Sequence, residues 1–470
     1  MGRVMKMNIN KLLETNYDIE VKGICCNSAQ AQPGDVFVAV TGFKTDGHKY
    51  IPDAVKKGAV CVVAEHEVDA GVPVIVVENS RAALAKMAHE FYGQPTHNFK
   101  LIGVTGTNGK TTVTYLVKAI LEAAGEKVGL IGTNQNMIGS ECFETERTTP
   151  DILDLVRLFD KMAHAGCTYV VMEVSSHSLE LNRVNGCEFE VSAFTNLTQD
   201  HLDFHITMEN YLAAKAKLFK ICNKAVINID DNGGKRIARD VACSKITYGT
   251  VDADITATDI TLHPASVEFD CMGDRFTLHI PGMFSVYNAL AAISICKALG
   301  IDKETIKNAL ASAHGVKGRF EIYPAHKDYT VIIDYAHSPD GLKKILETIK
   351  GFAKGRIVVL FGCGGDRDAK KRPLMGKIAG ELADFCIITS DNPRSEDPAA
   401  IIRDILSGME NATADYVVIE NRRDAIGYAI KNAQKDDVIV LAGKGHETYQ
   451  ILNTGTIHFD EREVLAEFIK

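Results

Sequence analysis

The sequence predicts an α/β fold in three domains, on three observations. A chain of 470 residues is too long for one hydrophobic core. The apolar run Lys100-Leu-Ile leads into Gly-Val-Thr-Gly-Thr-Asn-Gly-Lys-Thr-Thr at 103–112, a strand–loop–helix junction suited to phosphate. Apolar strand-type runs alternate with helical stretches on both sides of it, and Gly and Pro interrupt the pattern between them.

Taken in order, residues 1–98 combine short strands (36–40, 60–64, 74–77) with helical stretches at 50–57 and 81–92. Gly93 and Pro95 stop the second helix, and 94–99 reads as a linker. Residues 99–318 form the central domain, with a mostly parallel sheet expected from strands at 169–172, 192–195 and 225–229. Within it, 253–281 alternates polar and apolar residues as antiparallel strands do. The segment His314-Gly-Val-Lys-Gly-Arg319 marks a second boundary. Residues 319–470 then carry four buried-type strands (330–334, 357–361, 385–389, 438–442), each beside a helical stretch, so a doubly wound, Rossmann-like sheet is expected.

Composition narrows the function classes. Apolar residues make up 46% and charged residues 24%, as in ordinary soluble proteins. A net charge of -9 excludes a broad nucleic-acid surface but allows a local basic pocket for an anionic substrate. No run is long enough to span a membrane, and the first sixteen residues lack a signal-type apolar core. The twelve cysteines form no C-x-x-C, and several, such as Cys61, Cys296 and Cys386, sit in apolar runs as small hydrophobes. That usage suits a reducing, cytoplasmic setting.

The loop at 106–112 dictates the first functional expectation. Gly106 and Gly109 let backbone N–H groups turn inward on phosphate oxygens, with Thr107 and Asn108 between them. Lys110 can reach the β- and γ-phosphates, the Thr111 hydroxyl can hold Mg²⁺, and Thr112 continues the first helical turn. Val104 stands where the usual phosphate loop has its first glycine. Two polar clusters follow, Glu173-Val-Ser-Ser-His177 at a strand end and Thr198-Gln-Asp-His-Leu-Asp-Phe-His205. Read singly, Glu173 is a surface carboxylate and His201 a loop histidine; together, beside a phosphate loop, they suit a metal ion. Lys215 lies on an Ala/Leu-rich helix, where spacing alone makes it a lysine that snorkels to water. In the last domain, polar loops after the strands carry Arg367, Asp391, Asn392, Arg394, Gly443 and Glu447. Ligands of open α/β sheets bind at that edge. Two arginines suit carboxylate or phosphate, and Glu447 suits an ammonium.

Taken together, these segments closely resemble the Mur ligases of peptidoglycan synthesis over essentially the whole chain. The carrying motifs are Thr105-Gly-Thr-Asn-Gly-Lys-Thr111, Glu173-Val-Ser-Ser-His177, Asp200-His-Leu-Asp203, Asn288, Gly318-Arg319 and Asp334-Tyr-Ala-His337. Thr148-Thr149-Pro150 and Asp391-Asn-Pro-Arg394 point to the members that add the third peptide residue, and the latter motif to meso-diaminopimelate.

The resemblance implies UDP-binding, ATP-binding and amino-acid-binding domains at 1–98, 99–318 and 319–470. It implies ATP contacts from Gly106–Thr112, Asn288, Arg319, Asp334 and His337. Ser28, Thr148, Thr149, Ser175 and Arg183 are implied for UDP-N-acetylmuramoyl-L-alanyl-D-glutamate, and Arg367, Asp391, Asn392, Arg394, Gly443 and Glu447 for diaminopimelate. Thr111, Glu173, His201 and Lys215 are implied for Mg²⁺, Lys215 as a CO₂-derived carbamate, with Lys110 among the catalytic groups. Ala29 and Ser285 depart from the family's usual Arg and Asn. The implied chemistry is amide formation through an acyl phosphate, by a cytoplasmic monomer. Rival readings are a lysine-adding ligase, a folylpolyglutamate-synthase-like ligase, and a nucleotide-dependent switch lacking amino-acid loops.

Overall fold

The computed structural model describes residues 6–42, 45–145, 147–313, 315–410 and 412–469. His314 of the second expected boundary, and the first five residues of the N-terminal stretch, lie outside the described residues. The fold is mixed α/β. It comprises two compact units, Met1–Ile102 with Glu126–Glu190, and Gly103–Gly125 with Val191–Lys470.

In the first unit, Gly23–Cys25, Asp35–Val38, Cys61–Ala64 and Val74–Val76 make a parallel sheet in chain order. Side chains alternate between its faces. Val36, Val38, Cys61 and Val63 join one core with helix Ser80–Phe91, and Phe37, Ala39, Val62 and Ala64 join another with helix Ile51–Lys56. Asn79 starts helix Ser80–Phe91 by accepting from the Ala82 N–H. The sequence pattern does not predict Gly23–Cys25, which is too short to show a period. Later in the unit, Val128–Ile131 pairs in parallel with Tyr169–Glu173 and antiparallel with Asn136–Ile138.

In the second unit, residues 103–105 of strand Lys100–Thr105 lead through the phosphate loop to helix Lys110–Ala123. Cys222–Asn228, Ser244–Gly249 and Ile255–Thr256 pair in parallel. Residues 253–281 contain the expected antiparallel sheet, Thr258–Leu262, Val267–Cys271 and Asp274–Leu278. The last sheet runs Glu321–Tyr323, Thr330–Asp334, Val438–Ala442, Ile357–Phe361, Phe385–Ile388, Asp415–Val418, parallel except at its first, antiparallel strand. Ile332, Val359, Phe361, Ile388 and Val440 face one core, while Val331, Val358, Leu360, Ile387 and Ile439 face the other. The two edge strands are not among the expected strands: Glu321–Tyr323 is only three residues long, and Asp415–Val418 is a four-residue run with Tyr416 and Val418 exposed. Ser338 and Asp397 cap helices that open on Pro339 and Pro398. This places the four functional loops beyond the C-terminal ends of central strands. Cys61, Cys296 and Cys386 are fully buried, as their apolar settings predict. No helix of the described residues is long and apolar enough to cross a membrane.

Candidate functional site

The phosphate loop is shaped by its neighbours in the second unit. Gly109 has φ +86°, and a Cβ there would overlap Asn288 Oδ1, so the loop and the nearly buried Asn288 are mutually fitted. Thr107 N–H donates to the Asn196 carbonyl (2.9 Å), and its hydroxyl lies 3.2 Å from the Tyr211 hydroxyl. Asn108 N–H donates to Asn196 Oδ1 (2.9 Å), and its Nδ2 to Asp340 Oδ2 (2.8 Å). Arg319 Nη2 donates to Thr111 Oγ1 (3.1 Å), and its guanidinium stacks 4.5 Å from the Tyr335 ring centre. The expected nucleotide residues Thr111 and Arg319, 208 positions apart, therefore meet. Thr112 is buried in the first turn of helix Lys110–Ala123. Asp334 Oδ2 accepts from the Phe320 N–H at 2.7 Å.

Two lysines converge on one carbonyl. Lys110 Nζ donates to the Gly106 and Thr107 carbonyls, each at 2.9 Å, and Lys215 Nζ donates to the Gly106 carbonyl at 2.8 Å. Lys215 is 1% exposed and sits over the Tyr211 ring, so it does not snorkel. Burial, reinforced by the Lys110 charge, holds its amine well below the usual lysine range. His201 takes a left-handed backbone (φ +55°) at the start of Leu202–His205, with its ring 3.5 Å from Asp200 Oδ2. Burial raises the Asp200 carboxyl, but His201, His337 and Lys371 outweigh it and leave it below the usual range. His337, with its Nε2 4.0 Å from Asp200, is pushed down to about 4, first by burial and then by Lys371. Tyr211, Asp200 and Asp340 are members that sequence reasoning missed. Asp200 and Tyr211 lay unassigned in the stretches around His201 and Lys215, whereas Asp340 lies beyond the Asp334–His337 motif.

The last sheet gathers the amino-acid loops. Asn392 Nδ2 donates to Glu447 Oε2 (2.9 Å), and Asn392 Oδ1 accepts from the Ile451 N–H (2.9 Å). Gly443 has φ +115°, and a Cβ there would lie 2.6 Å from Asp391 Oδ2. Arg394 is half-buried with φ +56°; its Nη1 donates to the Gly365 (2.9 Å) and Asn392 (3.3 Å) carbonyls. Among the described residues no carboxylate forms an ion pair with Arg394; Glu396, its neighbour, is taken by Arg372 at 2.8 Å. Arg367 is exposed, with Nη1 on the Asp366 carbonyl. Lys444, not singled out from sequence, is fully buried and donates to Glu447 Oε2 (2.9 Å). Burial raises the Glu447 carboxyl, and Lys444 opposes that rise.

In the first unit, Glu173 is not a surface carboxylate: it is 1% exposed, accepting from the Thr133 N–H (2.8 Å) and hydroxyl (3.0 Å). Around it, Thr148 shares a hydrogen bond with Thr133 (3.0 Å), and the Thr149 hydroxyl donates to the Glu173 carbonyl (2.8 Å). The Ser175 N–H donates to the Thr149 hydroxyl (3.1 Å), and Arg183 Nη1 to the Thr149 carbonyl (3.1 Å). Four of the five residues expected at the UDP-sugar peptide thus form one cluster with Glu173. Ser28 lies in the short turn Ser28–Gln30, outside the described hydrogen bonds of that cluster.

Three family descriptions match the chain in order: the Mur ligase family catalytic domain at residues 20–92, the middle domain at 104–296, and the glutamate ligase domain at 318–445. The UDP-N-acetylmuramoyl-L-alanyl-D-glutamate–2,6-diaminopimelate ligase of Caldanaerobacter subterraneus subsp. tengcongensis is 51% identical, over 97% of this chain and 96% of its own. The enzyme of that name from Clostridioides difficile is 46% identical, over 96% and 95%. A solved structure of a ligase of the same name, 31% identical, superposes with a TM-score of 0.69 over 99% of each chain. The MurF ligase of Thermotoga maritima in complex with ADP, 20% identical, shares the fold, with a TM-score of 0.64 over 95% of this chain and 96% of that one. Identity near one half along almost the whole length, with the three domains in the family's order, leaves one conclusion: the chain belongs to the Mur ligase family.

Proposed function

We propose that this chain joins meso-2,6-diaminopimelate to UDP-N-acetylmuramoyl-L-alanyl-D-glutamate, with cleavage of ATP to ADP and phosphate. The observation that carries this reading is the Asp391–Arg394 loop. It sits with Glu447 and Gly443 at the edge of the last sheet, in a chain about half identical to ligases named for that reaction. In this reading a D-glutamyl carboxylate oxygen attacks the γ-phosphorus, the bond to ADP breaks, and an acyl phosphate forms. The amine of diaminopimelate then attacks the acyl carbon, phosphate leaves with the carboxylate oxygen, and the amine loses a proton.

The residues divide that work by charge and position. Lys110 neutralises the transferred phosphate, and the loop's N–H groups fix it. Arg319 and Asp340, which touch Thr111 and Asn108, tie the last domain's chain to the nucleotide loop. Thr149, Ser175 and Arg183 bind the UDP-sugar peptide, with Thr148 and Ser28. Arg394 takes the distal carboxylate of diaminopimelate and Glu447 its distal ammonium.

The residues also fit a magnesium ion, on one condition. Two ammonium groups on one carbonyl would repel a cation, but the suppressed basicity of Lys215 leaves a neutral amine able to add CO₂. Carbamylated Lys215, His201 and the Thr111 hydroxyl would hold Mg²⁺, which supplies charge neutralisation for the triphosphate. The testing experiment is a screen of phosphate release across amino acids, with and without the UDP-muramoyl dipeptide. The reading requires release to depend on both substrates and to favour diaminopimelate; release with neither would refute it.

A further inference from the structure

We propose that Lys444 sets the amino-acid specificity of this site by rejecting any amino acid whose far end carries an ammonium without a carboxylate. The inference rests on the proposed diaminopimelate site and assigns its selectivity to a second residue besides Arg394. Lys444 is fully buried between the Tyr449 and Phe459 rings, at 5.6 and 6.0 Å from their centres. Its Nζ holds Glu447 Oε2 at 2.9 Å and Asn392 Oδ1 at 3.3 Å. The protein's own cation therefore already sits on the carboxylate that a ligand ammonium would seek.

Counting charge makes the consequence plain. The groups that feel one another here are Arg367, Arg394 and Lys444 against Asp366, Asp391 and Glu447, three cations to three carboxylates, so no carboxylate is left over for a further cation. The nearby buried Arg422–Glu461 pair is self-neutral. The distal end of diaminopimelate bears an ammonium and a carboxylate and adds no net charge. The distal end of lysine adds a full positive charge to a site with no carboxylate to spare, in surroundings where charges are weakly screened. Arg394 and Lys444 thus act by different routes. Arg394 attracts the extra carboxylate, whereas Lys444 repels the amino acid that lacks it, and it also holds Glu447 and Asn392 in place. Lys444 is a positioning residue: it acts by its charge and through those two side chains, without bonding the amino acid.

Steady-state kinetics with diaminopimelate and L-lysine on wild type, Lys444→Met, Lys444→Gln and Lys444→Arg test this. The ratio of kcat/KM for diaminopimelate to that for lysine should fall at least tenfold in the Met and Gln variants, chiefly through better use of lysine. The Arg variant should retain the ratio. Equal losses for both amino acids, with the ratio unchanged, would show a purely structural lysine and overturn the proposal. A second measurement needs no substitution: competition for the wild-type site by L-norleucine and L-lysine, which differ by the distal ammonium. Norleucine should bind at least as well as lysine, and tenfold tighter binding of lysine would overturn the proposal. Failure of the wild type to use diaminopimelate would instead refute the function, while the norleucine comparison still decides the role of Lys444.

Discussion

Replacing Gly109 by alanine tests the fit between the phosphate loop and its surroundings. Gly109 precedes helix Lys110–Ala123 with φ +86°, a left-handed backbone that costs an L-residue about 1–2 kcal/mol. The added Cβ would also overlap Asn288 Oδ1, and Asn288 is only 7% exposed within helix Met283–Ala298. Turning that carboxamide off its rotamer costs about 1 kcal/mol more. The total of about 2–3 kcal/mol corresponds to about thirty- to a hundred-and-fortyfold in an equilibrium constant. The loss has two outlets. A loop that shifts to relieve the overlap loses nucleotide affinity, and a loop that keeps its shape loses folding stability. Calorimetric binding of a non-hydrolysable ATP analogue and urea unfolding of the same variant measure both. The two losses should sum to about 2–3 kcal/mol. A sum under about 0.5 kcal/mol, within the usual range of neutral surface substitutions, would refute the reasoning.

Further substitutions probe the other groups. Lys110→Ala should remove about 3 kcal/mol of transition-state stabilisation, read as kcat/KM, and near-wild-type turnover would sink the loop's assignment. With ¹³C-labelled bicarbonate, the wild type should show a carbamate resonance that Lys215→Arg lacks, and a spectrum identical in both would remove the carbamate. Arg394→Ala should lower kcat/KM for diaminopimelate by about a hundredfold, the loss of a paired, charged hydrogen bond of about 3 kcal/mol, and should change lysine use little. His446 supplies a pH test. Burial first, and then Arg319, Arg462 and Lys317, push its imidazole down to about 3, and its buried Nδ1 has no hydrogen-bond partner among the described residues. As pH falls below about 6.5 the unfolded chain takes up this proton and the folded chain does not, so stability falls, by up to about 2 kcal/mol at pH 5. His446→Gln should flatten that part of the stability–pH curve, and an unchanged slope would contradict it.

Local chemistry made much of this legible in the sequence. The glycines and lysine of 103–112 have few other uses, and the buried strands of the last sheet are unbroken apolar runs. The edge strands Glu321–Tyr323 and Asp415–Val418 were not singled out, being only three and four residues long. Residue identity alone understated Glu173 and Lys215: a carboxylate and a lysine default to the surface, and only tertiary packing shows both nearly fully buried. Asp340 and Lys444 were illegible for another reason. Each acts on a residue far along the chain, Asn108 at a separation of 232 and Asn392 at 52, and no sequence window spans such a pair. Arg394 ties down loop backbone through the Gly365 and Asn392 carbonyls, while the Glu396 carboxylate is held by Arg372.

The central claim is an acyl-phosphate ligation of diaminopimelate onto the UDP-muramoyl dipeptide, and an isotope transfer tests it most directly. The dipeptide is prepared with ¹⁸O in its D-glutamyl carboxylates and incubated with ATP, diaminopimelate and the protein. Mass spectrometry then reads both the nucleotide-sugar product and the released phosphate. The account predicts a UDP-muramoyl tripeptide, with one ¹⁸O carried into the phosphate for each amide formed. Phosphate free of label, or label-free release without the tripeptide, would contradict it.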